Sequence, residues 1–328
     1  MKRMKLMHCL LIMFSFSMFT IQALSMNIDC PIKCPGLYCG RAPAEHNLSS
    51  SCNQPCEACS RGFRTNSFHC LKCDSLLVLY DWLFLGFMMI CIMVLNFYAV
   101  DMFHSTERKS WLFHLSIILE SVISFILMIL SFEPRGKFSL HSCGVKSIKD
   151  WYTVFYNPKP DYVTVIRCTQ EAVYPLYTAI FMYLIYCLVL MIIFRGVILP
   201  KVTRMRPNKS LYAGLYIIPI VGVVHTCFAG VIYFIFPYLM LFLSVIGVAI
   251  FLSTLDQENY FKDLRTPRHM GVLACYCVAH GYGIISITEL SVPIRDGPVM
   301  LLVFLPVLFY TISRRFTRVE RFTGNWNF

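Results

Sequence analysis

The 328 residues are 57% hydrophobic and only 14% charged, with 29 Lys and Arg against 18 Asp and Glu for a formal net charge of +11. A water-soluble domain of this length needs far more charge to cover its surface. Apolar runs near 20 residues recur, long enough at ~1.5 Å per residue to cross a hydrocarbon core of ~30 Å. None alternates in polarity as the ~10-residue strands of a membrane barrel do. The fold class is therefore an all-α polytopic membrane protein with a small N-terminal cysteine-rich module.

In chain order, Lys2, Arg3 and Lys5 precede the apolar run LLIMFSFSMF, and Ala23 and Ser25 sit before Met26 at the spacing of a cleavage site. Residues 1–25 thus read as a secretory signal peptide, or as an uncleaved signal anchor. Residues 26–75 hold eight of the 16 cysteines: Cys30, Cys34, Cys39, Cys52, Cys56, Cys59, Cys70 and Cys73. The segment has too few apolar residues for a core, so covalent or metal staples must hold it. An even count behind a signal peptide favours four disulfides, with a zinc site on the CEAC and CLKC pairs as the alternative. Asn47-Leu48-Ser49 is a glycosylation sequon within this segment.

Seven spans are expected, at 76–100, 111–132, 172–194, 211–234, 236–255, 270–288 and 298–313. The fourth and fifth meet at a tight Phe236-Pro237 corner, since proline ends one helix and starts another. With the N-terminus outside, the inner segments 101–110, 195–210, 255–269 and 314–328 carry 14 Lys and Arg in 56 residues. The outer segments 26–79, 133–171 and 289–297 carry 12 in 102. The positive-inside rule then sets the N-terminus lumenal and the C-terminus cytosolic, and nucleic acid is not needed to explain the charge. A second sequon, Asn208-Lys209-Ser210, falls on the inner side and should stay bare.

Intramembrane polar residues are Glu120 in the second span, His225 in the fourth and His280 in the sixth. They mark a proton or ion path, or interhelical hydrogen bonds around a neutral carboxyl. No hydrolase elbow, metalloprotease helix, phosphate loop or intramembrane aspartate pair is present, so no catalytic residue, metal or cofactor is assigned. A rhodopsin-like receptor is excluded too, because no DRY follows the third span.

The outer loop 133–171 is aromatic and rich in proline, and Cys143 and Cys168 are its only cysteines. They are expected to pair with each other. Trp151, Tyr152, Phe155, Tyr156 and Tyr162 would then lie as a lid on the lumenal headgroup layer, or form a protein-binding loop. DWYTVFYNPKPDYVTVIRCTQEAVYPLYT in this region resembles the signature of the Jun-kinase-associated membrane protein family. GLYCG at 36–40, LYDWLFLGFM at 79–88, YAGLYIIPI at 212–220, FPYLMLFLS at 236–244 and HGYGIISI at 280–287 are similar as well. The resemblance spans roughly residues 34–316.

The resemblance implies a seven-span, non-enzymatic endoplasmic-reticulum protein. It would recruit proteasome subunits, a membrane-anchored ubiquitin ligase and other degradation components during unfolded-protein stress. It would also prolong Jun N-terminal kinase signalling. The competing reading is a proton-coupled carrier built on Glu120, His225 and His280.

Overall fold

The computed structural model describes residues 32–34, 36–42, 54–104, 110–156, 168, 170–203, 208–255 and 260–313. The expected signal segment 1–25, Cys30, Cys52, Asn47, Tyr162 and the tail 314–328 lie outside them. The described chain is mostly helical, and six of its helical segments are long and apolar enough to cross a membrane.

Helix α1, Leu79–His104, carries Asp81 in its first turn, where a carboxylate suits the helix N-terminus. Helix α2 is Ser110–Ser131. Helix α3, Leu176–Met191, does not stop at the expected 194 but runs through a π-helical segment, Ile192–Ile198, into a short helix, Leu199–Thr203. Helix α4 is Asn208–Ser253. Helix α5, Pro267–Thr288, opens on proline at its first turn and closes on Glu289 in the left-handed region. Helix α6, Leu305–Ser313, is reached through a helix at Pro293–Val299 and a 3-10 turn at Met300–Phe304.

Helix α4 corrects the expected corner. No loop separates the two predicted spans, and Pro219 and Pro237 both lie inside one continuous 46-residue helix. Proline at 237 has no N–H for the carbonyl of Tyr233 one turn earlier. The hydroxyl of Tyr80 on α1 donates to that carbonyl instead, at 2.7 Å. A helix stop written in the sequence is thus absorbed by a distant side chain.

The main core gathers α1, α2, α3 and the first part of α4 around Phe84, Met128, Leu176, Ile180, Tyr183 and Phe236. A second, smaller core joins the end of α4 to α5 through Val248, Leu252, Leu255, Tyr260 and Leu273. The described part of the cysteine-rich module is three small antiparallel ribbons. β1 (Cys39–Gly40) pairs with β2 (Glu57–Ala58), and β3 (Phe63–Thr65) with β4 (Cys70–Lys72). β5 (Ser75–Leu76) pairs with β6 (His141–Ser142), a strand of the loop after α2. At Gly40 a Cβ would stand 2.8 Å from both Cys70 Sγ and Thr65 Oγ1, so only glycine lets these strands close.

That last ribbon explains a second correction. Cys143 does not pair with Cys168. Among the described residues the bonds are Cys34–Cys56, Cys39–Cys168, Cys59–Cys70 and Cys73–Cys143. Pairing of β5 with β6 sets Cys73 beside Cys143, so module and loop fold as one cross-linked body. Nor do the eight N-terminal cysteines pair only among themselves.

Candidate functional site

Two places concentrate polar chemistry, one among the helices and one where the module meets them. Among the helices, Glu120 on α2 is paired with Arg195 of the π-helical segment. Arg195 Nη2 donates to Glu120 Oε2 at 2.7 Å, and its Nε lies 3.0 Å from both carboxylate oxygens. Arg195 Nη1 donates to Asn96 Oδ1 on α1 at 3.1 Å, and Asn96 in turn donates to the carbonyl of Ile92. Ser116 donates to Glu120 Oε1 at 2.6 Å. Arg195 is 2% exposed and Glu120 3%.

Glu120 is thus held in interhelical hydrogen bonds by a guanidinium, and Arg195 lies among the helices rather than in the expected basic loop. A carboxylate and a guanidinium in fork geometry are the arrangement that makes burial of both charges tolerable. The space beside them measures 10 Å³, room for about one water at most.

The two histidines are elsewhere. His225 is wholly buried, its ring between Tyr177 and Phe181, with Nε2 3.3 Å from the carbonyl of Tyr177. His280 faces Ser244 across the α4–α5 contact, at 2.8 Å. Each of the three predicted polar residues therefore has its own partner, and the fold does not bring them to one place.

At the junction, Asp150 is the hub. It is buried, and its Oδ2 receives Arg64 from β3 at 2.8 Å and the backbone N–H groups of Lys146 and Ser147. Tyr38 of the module donates to Oδ1 at 3.2 Å. Arg64 also donates to the carbonyls of Cys143 and Gly144. Burial and the neighbouring Asp150 push the Tyr38 phenol up to about 12. Glu171, at the head of α3, receives the N–H and hydroxyl of Thr178. Burial raises its pKa above the ordinary carboxylate range.

Trp151 follows the hub and corrects the lid reading. It is 7% exposed and packs edge-on against Phe84 and tilted against Tyr233, in the mouth of the bundle rather than on headgroups. Gly230 on α4 makes the seat, since a Cβ there would meet Trp151 Cβ at 2.7 Å. The aromatic segment turns outward only beyond it, and Phe155 is 82% exposed.

The described cysteines of both CxxC pairs are consumed in disulfides, which leaves no thiolates there for zinc. Among the described residues no three His, Cys, Asp or Glu gather as a metal site. Sequence reasoning missed Arg195, Asn96, Arg64 and Asp150. A signal for Arg195 existed, because MIIF and GVIL flank it on both sides.

Comparison with known proteins fits this architecture to one family. The family profile described as JNK1/MAPK8-associated membrane protein matches residues 34–319. The JNK1/MAPK8-associated membrane proteins of Mus musculus and Homo sapiens are each 38% identical over 302 residues, covering 90% of this chain and 97% of the relative. The Caenorhabditis elegans homolog is 28% identical over 302 residues, covering 85% of this chain and 92% of its own. No solved structure matches.

Proposed function

Because this chain belongs to the JNK1/MAPK8-associated membrane protein family, we propose that it is an endoplasmic-reticulum membrane scaffold. In this reading it links proteasome subunits and a ubiquitin ligase of the degradation machinery to the membrane during unfolded-protein stress. It also holds Jun N-terminal kinase there and modulates its signalling. The observation that carries the reading is collinear kinship over nearly the whole length of relatives named for the kinase. The polar residues of the bundle support it: Glu120 is spent on Arg195, and His225 and His280 each have a separate partner among the described residues.

The scaffold needs its tail on the far side of the membrane from its module, hence seven crossings with a lumenal N-terminus. In support, 46 residues of α4 would extend about 69 Å if straight, over twice the hydrocarbon core. The two parts of α4 also have different neighbours. Gly214 abuts Asn96 at the far end of α1, and Phe236 stacks on Phe84 and Phe87 near its start. Beyond Pro237, Ser244 meets His280, and Leu252 shares a cluster with Leu273, so this part runs antiparallel to α5. Two spans' worth of chain thus pack on different partners on either side of Pro237.

Proximity labelling from the C-terminus, with and without lumenal stress, tests the function. Kinase and proteasome subunits should be enriched under stress, and the charge-free pair Glu120→Leu with Arg195→Met should leave that enrichment unchanged. Loss of a measurable ion flux in this double variant, with no labelled partner in either protein, would reject the scaffold in favour of a carrier.

A further inference from the structure

Beneath the β3–β4 hairpin lies a cavity of 790 Å³, walled by the module, the end of α2 and the start of α3. Three cations from separate stretches border it: Arg61 and Lys72 from the hairpin and Arg135 from the loop after α2. Among the described residues Arg61 and Arg135 are in no ion pair. Lys72 shares Asp74 at 3.5 Å, with both side chains largely exposed. Glu133 is the single carboxylate among the lining residues, while Asp74 stands beside Lys72 and the charge of Arg61 reaches Glu171.

Position decides what such a cavity suits. It lies where α2 ends at Ser131 and α3 begins at Leu176, the depth at which an apolar span meets headgroups. Part of its floor is apolar, with Phe132 and Met182 beside Ser131 and Thr178, and Met182 lies six residues into α3, about 9 Å below the start of the span. A guanidinium fork matches phosphate oxygens in two-point geometry. A soluble anion would use the cations but leave the apolar floor bare. A lipid uses both.

We propose that this cavity binds the phosphate of a membrane glycerophospholipid through Arg61, Lys72 and Arg135, with the acyl chains along α2 and α3 past Met182. The site is independent of the scaffold reading.

The test uses the full chain in detergent, offered phosphatidic acid, diacylglycerol or inorganic phosphate, with bound molecules counted by native mass spectrometry. Wild type should retain phosphatidic acid and not diacylglycerol, which has the same chains without the phosphate. Each arginine contributes roughly five-fold, so Arg61→Gln with Arg135→Gln should weaken retention about twenty-five-fold. Lys137→Gln, in the same loop but outside the lining, should retain the lipid as wild type does. Arginine-to-lysine exchanges keep the charge and lose the fork, so they should weaken retention even where the glutamine variant fails to fold. Equal retention of diacylglycerol, or undiminished retention in the arginine variants, overturns the site. Binding of inorganic phosphate without phosphatidic acid overturns the lipid assignment.

Discussion

Replacing Glu120 with alanine removes the three contacts between its carboxylate and Arg195, leaving the guanidinium only Asn96. Stripping one partner from a buried pair costs about 3–5 kcal/mol, because the surviving charge has lost its compensation and cannot reach water. Arg195→Met should be similar, since it strands a carboxylate that retains only Ser116. Removing both charges and restoring the volume, as in Glu120→Leu with Arg195→Met, should return the protein to within about 2 kcal/mol of wild type. Unfolding in mixed micelles as a function of denaturant measures all four members of the cycle. The expected signature is a double variant more stable than either single one. Losses that add, or a harmless Glu120→Ala, would refute the idea that these charges depend on each other.

The disulfide pattern predicts linked peptides for Cys39–Cys168 and Cys73–Cys143 in a non-reducing digest, and a Cys143–Cys168 peptide would contradict it. Serine at either member of a bond should cost roughly 4–5 kcal/mol in the chain-entropy model, with little more lost in the double variant. Gly230→Ala should destabilise by about 1–3 kcal/mol through overpacking against Trp151, and Trp151→Ala in that background should add less than it does alone. Since the pKa of Glu171 is raised by folding, its stabilising contribution is present below the unfolded value and is lost as pH rises through the folded one. Glu171→Gln should thus be more stable than wild type at neutral pH, with a margin that shrinks toward acid; a margin independent of pH would contradict this. Endoglycosidase should shift the wild type and the Asn208→Gln variant but not Asn47→Gln, and the reverse pattern would invert the proposed orientation.

The long apolar helices were legible because their composition leaves no alternative to burial in lipid. So was the need for covalent staples in a segment poor in apolar residues. Partner choice was not. Spacing says nothing about β5 lying beside β6, and that ribbon alone decides that Cys143 meets Cys73. Arg195 was assigned to a loop because charge counting treats any cation at the edge of an apolar run as outside. The π-helical segment that turns it toward Glu120 has no residue signature. Pro237 reads locally as a helix stop, yet the group that relieves it, Tyr80, precedes its acceptor by 153 residues. Trp151 reads as an interfacial ring until Gly230 is seen to make room for it.

The bond between Cys39 and Cys168 spans 129 residues, and α1 and α2 lie between its ends. During synthesis, Cys39 must therefore wait as a thiol until two helices have been threaded and Cys168 has emerged in the same compartment. Should α1 and α2 be threaded so that Cys168 stays on the opposite side, no oxidase can close the bond, and Cys73 is left without Cys143 for the same reason. The oxidation state of the module is thus a chemical record of how the first hairpin was inserted, kept in the part of the chain made before the insertion took place.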